Sequence, residues 1–160
     1  MTVHYLIVFL ISMVPLIELR GAIPYAVLFR LPLLPSYIIA IIGNMIPVPF
    51  IFFLARKVLE WGKNCKFNLF ARFCTFCIDK GEVAKEKLLK TSGNGIYIAL
   101  LLFVGIPLPG TGAWTGTLAA SFLNLDFKKT VIAVISGVIM AGIIMGLVSG
   151  GALGIAGFLK

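Results

Sequence analysis

The amino-acid sequence predicts an all-α integral membrane protein built as an inverted repeat, each half a re-entrant helical hairpin followed by one transmembrane helix. Three observations predict it: an apolar composition, two apolar runs broken near their middles, and basic residues gathered in one segment. Of 160 residues, 60% are hydrophobic and 12% charged, and the mean hydropathy is +1.07. A water-soluble domain does not carry that balance. The length suits one small membrane domain, 1–160, with no room beside it for a separate soluble catalytic unit.

Four stretches reach the ~20 apolar residues that a bilayer crossing needs: residues 3–31, 36–55, 96–123 and 130–149. No basic residue precedes Arg20, and no small-x-small cleavage pattern sits beside a polar stretch, so the first run is expected to belong to the mature fold. The second and fourth runs have apolar centres. The first and third are interrupted by "VPLIELRGAIP" and "GIPLPGTGAW". A helix through the latter would lose the hydrogen bonds of Pro107 and Pro109 and carry Gly105, Gly110 and Gly112 within eight residues, so it breaks. Broken backbone at membrane depth persists only where protein or a water-filled cavity satisfies its polar groups. Each interrupted run is thus a kinked span or a re-entrant hairpin.

The basic residues favour hairpins. Nine of the fourteen Lys and Arg lie between Arg56 and Lys90, which makes that segment cytoplasmic. With hairpins, the chain crosses only at 36–55 and 130–149, and the "NLDFKK" turn at 124–129 joins the same side, placing eleven basic residues inside. With four full spans, Lys128 and Lys129 move outside. The protein is therefore expected in the cytoplasmic (inner) cell membrane as a multi-pass protein.

The order of elements repeats. Residues 3–55 hold a broken run, a short turn and an intact span, and 96–149 hold the same order about 91 residues later, equating Gly21-Ala22 with Gly112-Ala113 and Tyr37 with Lys128. A connector, 56–95, joins the halves, and a short Gly-rich tail, 150–160, follows. If each half crosses once, the second is inverted relative to the first, an architecture of many secondary transporters, and the hairpin tips meet near the midplane.

The connector carries Phe67, Phe70, Phe73 and Phe76 among its basic residues, which suits an amphipathic helix on anionic headgroups and not a nucleic-acid partner. Cys65, Cys74 and Cys77 all fall there. The Cys74-Thr-Phe-Cys77 gap matches zinc and redox sites, but no second pair follows and the only His is His4, so packed thiols are expected, with no metal and no cofactor.

"IELRGAIP", "GNMIPVPF" and "IPLPGTGAWTGTLAA" resemble the three signature stretches of the small multidrug export protein family, a group related at fold level to the DedA superfamily. The resemblance covers nearly the whole chain, and the third stretch is the most specific. It implies a small multi-pass protein with two opposed re-entrant hairpins. Through the DedA relatives it implies movement of polyprenyl-phosphate or other lipids, coupled to protons.

Glu18 and Arg20 are the charges within the interruption of the first run. In a continuous helix, residues two apart point to nearly opposite sides; in an extended tip they point to the same side. A lone charge at a helix centre costs about 2.5 to 3.5 kcal/mol, so each needs a partner or water. An unwound tip at Glu18–Gly21 with Pro24 in the first turn of the outgoing half-helix would supply the spacing. Pro15 belongs to the same tip. In the second tip, Pro107, Pro109 and Gly110 shape the turn, and Thr111 or Gly112 can cap a half-helix beginning near Ala113. Two half-helix N-termini and Arg20 would converge as an anion site. Glu18 is the candidate proton site. Asn44 either lines the cavity or satisfies a backbone group freed by Pro47 and Pro49, and Trp114 either contacts a ligand or packs.

The sequence has no paired carboxylates, no Gly-x-Ser-x-Gly and no Walker-type loop, so an enzyme and an ATP-driven pump are not expected. Three functions fit: a proton-linked transporter of an amphipathic substrate with an anionic headgroup, an exporter of small cationic drugs with Glu18 as counter-charge, or a structural or assembly protein. The expected partners are membrane lipids, the small amphipathic substrate and protons. Two spans give little wall around a lipid tail, so a homo-oligomer, most simply a dimer, is expected.

Overall fold

The computed structural model describes residues 2–63 and 94–158, with isolated positions between 72 and 90, and side chains as far as residue 151. The cysteines, Phe67, Phe70 and Phe73 lie outside the described residues, as does much of the connector. Among the described residues the protein is all-helical, without strands. The described helices are α1 (Thr2–Met13), α2 (Glu18–Leu28), α3 (Leu33–Met45), α4 (Pro47–Lys63), α5 (Gly95–Gly105), α6 (Ala113–Phe122) and α7 (Phe127–Phe158).

Proline and glycine set most of these boundaries. α1 stops two residues before Pro15 and α5 two before Pro107, because proline disfavours helical backbone in the residue ahead of it. α4 starts on Pro47, whose missing N–H is no loss at a first helical position. Leu33–Lys63 reads as a single apolar helix of 31 residues with a step at Ile46, and Phe127–Gly151 as another. These two are long and apolar enough to cross a membrane. α7 runs on through the Gly-rich stretch after residue 150 as far as Phe158. α1, α2, α5 and α6 have only 10 to 12 residues. At 1.5 Å per residue each covers about 15 to 18 Å, half of a ~30 Å hydrocarbon core.

The short helices fold back in pairs. His4 in α1 lies 3.0 Å from the Tyr25 hydroxyl in α2 and stacks at 4.9 Å on Phe29, just beyond that helix. In the second pair the Asp126 N–H donates to the Tyr97 hydroxyl at 3.2 Å, which brings the chain after α6 beside the start of α5. The partners on the long helices are exchanged: α1 packs on α3 and α5 on α7, whereas α2 packs on α7 and α6 on α4.

Local features recur at an offset of 94, not 91. Arg30 (φ 52°) and Asn124 (φ 49°) both occupy the left-handed region directly after a short helix. Behind them, the Leu31 N–H donates to Ala26 O at 2.9 Å and the Leu125 N–H to Ala120 O at 3.0 Å, two copies of one Schellman C-cap. Buried residues follow the same offset: Ala26 and Ala120, Leu31 and Leu125, Ser36 and Thr130, Ala40 and Val134, Asn44 and Val138. Gly43 and Gly137 complete the series as close approaches. A Cβ on Gly43 would come within 2.8 Å of Phe9 O in α1, and one on Gly137 within 2.7 Å of Leu101 O in α5. Such small residues let apolar helices pack backbone to backbone, where lipid offers no hydrophobic drive between them.

Candidate functional site

The site forms where the first break, residues 14–17, meets the second, residues 106–112. Glu18 opens α2 in a left-handed conformation (φ 53°), two residues after Leu16 (φ 73°), and its carboxylate is turned away from its own chain segment. It is 4% exposed, the one buried acid among the described residues. Its Oε2 accepts from the Ala113 N–H at 3.1 Å and its Oε1 from the Trp114 N–H at 3.0 Å. A carboxylate thus caps α6 from 95 residues away, where Gly112 offers no side-chain cap of its own. Charge-assisted bonds at a helix N-terminus satisfy free N–H groups and complement the helix dipole.

Arg20 lies two residues further and makes the opposite connection. Its Nη1 donates to Leu108 O at 2.6 Å, and its Nη2 faces Val104 O at 3.0 Å, Ile106 O at 3.1 Å and Thr111 Oγ1 at 2.8 Å. These oxygens lie at and beyond the C-terminus of α5, the negative end of its dipole. The two charges do not hydrogen-bond each other. They insert as acid and base into the second break, the acid on the incoming end of α6 and the base on the outgoing end of α5.

This corrects three expectations. The chain at Glu18–Gly21 is the first turn of α2, not an unwound tip; the break lies just ahead, at Pro15. Pro24 sits inside α2, not in its first turn, and so leaves Arg20 O without its i+4 donor. The N-terminus of α6 is not open for an external anion at Ala113 and Trp114, since the protein's own carboxylate is already there.

The other candidates separate. Thr111 joins the site: its hydroxyl also lies 2.8 Å from Ile106 O and 2.9 Å from Leu108 O, holding the turn around Pro107 and Pro109. Gly110 (φ 81°) and Gly112 (φ 145°) supply backbone that side chains resist. Gly21 packs under Ile17 and does not face the second break. Trp114 takes part through its backbone, while its buried Nε1 has no hydrogen-bond partner among the described residues. Asn44 is 1% exposed with an unpartnered Oδ1, so it lines no open cavity.

Backbone carbonyls 104, 106 and 108 went unforeseen, because a carbonyl carries no residue identity. So did the far end of α6, where Arg56 donates to Asn124 Oδ1 and Lys85 to Asn124 O. Asn in "NLD" was the available signal, as asparagine tolerates the left-handed C-cap position. No group of three or more His, Cys, Asp or Glu suited to a metal occurs among the described residues. Neither a curated protein nor a solved structure matches the chain. Residues 18–144 match the pattern of one protein family, a match that opens on Glu18 and takes in both sides of the site, and the chain belongs to that family, the small multi-drug export proteins.

Proposed function

We propose that this chain is a proton-coupled exporter of small amphipathic organic cations, and that the contact of Glu18 with the start of α6 is its coupling element. The carrying observation is that one buried carboxylate holds two N–H groups of the opposite hairpin. Protonation removes the charge and turns one oxygen into a hydroxyl donor, which opposes an N–H, so proton uptake releases α6. A cation that pairs with the carboxylate competes with the proton for the same oxygens. Binding of the two is then mutually exclusive, which is the requirement for exchange.

The reading places both helix pairs in the membrane as re-entrant hairpins entering from opposite faces. Their short helices, the return of each pair to its starting end and the exchanged packing support it. The end that holds Arg56, Lys85, Asn94 and Lys129 is then cytoplasmic. An anionic headgroup, the substrate that the DedA resemblance implies, ranks second, since Arg20 and the start of α6 are already engaged within the protein.

The test is efflux of ethidium from vesicles reconstituted with the full chain under a pH gradient. The wild type is expected to move ethidium only with the gradient, and Glu18→Gln to lose that movement. Wild-type rates in Glu18→Gln, or movement of a labelled anionic lipid without ethidium, would overturn the proposal.

A further inference from the structure

The oxygens facing Arg20 Nη2 outnumber its N–H groups. Nη2 carries two N–H groups but faces three oxygens within 3.1 Å, Val104 O, Ile106 O and Thr111 Oγ1, while Nη1 takes Leu108 O. Thr111 has a single hydroxyl proton between Ile106 O and Leu108 O. Four oxygens therefore crowd one point at the negative end of α5, and they stay together because a positive charge sits among them. Unwound carbonyls at a half-helix C-terminus suit a cation by the same electrostatics.

The seat is open at its rim and its occupant is tethered to a strained hinge. Ile106, Leu108, Pro109 and Gly110 are exposed, and a Cβ on Gly110 would meet nothing within 4 Å. Arg20 follows Leu16 and Glu18, both in left-handed backbone that side chains resist. Arg20 lies two residues from Glu18, so a movement of the start of α2 when a cation pairs with the unprotonated carboxylate also withdraws the guanidinium, and cargo and proton still exclude each other.

We infer that the oxygens of residues 104, 106, 108 and 111 form the cation seat of the exporter, with Arg20 as its resident occupant and a guanidinium- or ammonium-bearing cargo as its replacement. This rests on the export reading above and adds the cargo's chemistry and position. The cargo donates N–H bonds to the carbonyls that Arg20 leaves, and returning Arg20 expels it.

The first test uses purified full-length Arg20→Ala in detergent. Methylguanidinium in the low millimolar range is expected to raise its unfolding temperature with saturation, while equal sodium chloride does not and the wild type responds far less. Adding Thr111→Val should weaken the half-saturating concentration about tenfold, the size expected for one lost charged hydrogen bond. Equal responses of Arg20→Ala and wild type would overturn the inference. If Arg20→Ala does not fold, Thr111→Val with Arg20 in place decides. It is expected to raise the half-saturating concentration for efflux of labelled octylguanidinium from vesicles about tenfold, and an unchanged value would overturn the seat. Methylguanidinium binding by Arg20→Ala without any cation efflux by the wild type would sustain the seat and refute export. Ethidium efflux with no selective binding by Arg20→Ala would do the reverse.

Discussion

The Glu18 carboxylate fills the space beside Gly112 that a side chain there would need: a Cβ on residue 112 would overlap Oε2 and come within 2.7 Å of Cδ and Oε1. Gly112→Ala therefore meets both an unfavourable φ of 145° and the capping acid. Backbone strain of about 1 to 2 kcal/mol adds to weakened charged hydrogen bonds of similar size, giving about 3 kcal/mol in all. Gly110→Ala faces only its φ of 81° in open space, about 1 kcal/mol. Thermal unfolding of both variants in detergent checks the order; equal losses would mean that Glu18 does not occupy that space.

Replacing Glu18 tests the cap itself. Gln keeps one oxygen for one N–H and turns an NH2 donor toward the other, so Glu18→Gln is expected to cost about 1 to 3 kcal/mol. Glu18→Ala leaves both N–H groups unpaired and costs more. Amide exchange at Ala113 and Trp114 should speed up in both variants, while Gly116, whose N–H donates to Gly112 O at 2.8 Å, changes less.

What the sequence disclosed follows from which groups carry identity. Proline removes a donor wherever it stands, so both breaks were legible at Pro15 and at Pro107-Leu-Pro109, and the charges inside an apolar run marked the site. Apart from the Thr111 hydroxyl, the partners of those charges were not legible, since they are main-chain N–H and C=O groups 84 to 96 residues away. The local features that recur do so three residues away from the expected offset of 91. Equating Gly21 with Gly112 paired a residue inside α2 with one ahead of α6, whereas the caps at Arg30 and Asn124 fix the offset at 94. Pro24 misled because it was read as a helix start, while the helix already begins at Glu18.

The twin caps give opposite outcomes for one substitution. Arg30 is exposed, holds φ 52° and makes no side-chain hydrogen bond among the described residues, so Arg30→Gly relieves left-handed strain and is expected to stabilise by about 0.5 to 1 kcal/mol. Asn124 tolerates its φ of 49° better, and its Oδ1 accepts from Arg56. Asn124→Gly removes that bond and is expected to destabilise by about 0.5 to 1 kcal/mol. Paired melting curves check the two signs.

The contact of α5 with α7 holds two glycines whose replacement should differ in cost, because their neighbours differ in stiffness. A Cβ on Gly105 would meet chiefly the end of Met140, a flexible thioether that can rotate aside, with Gly137 O next at 3.2 Å. A Cβ on Gly137 would stand 2.7 Å from Leu101 O and from Val104 Cβ, and neither atom can yield without moving α5. Gly105→Ala is therefore expected to cost less than about 1.5 kcal/mol and Gly137→Ala about 3 kcal/mol, the upper range for overpacking. Since α5 carries the carbonyls that hold Arg20, Gly137→Ala should also shift the seat. In vesicles its half-saturating concentration for octylguanidinium should rise, while that of Gly105→Ala stays near wild type.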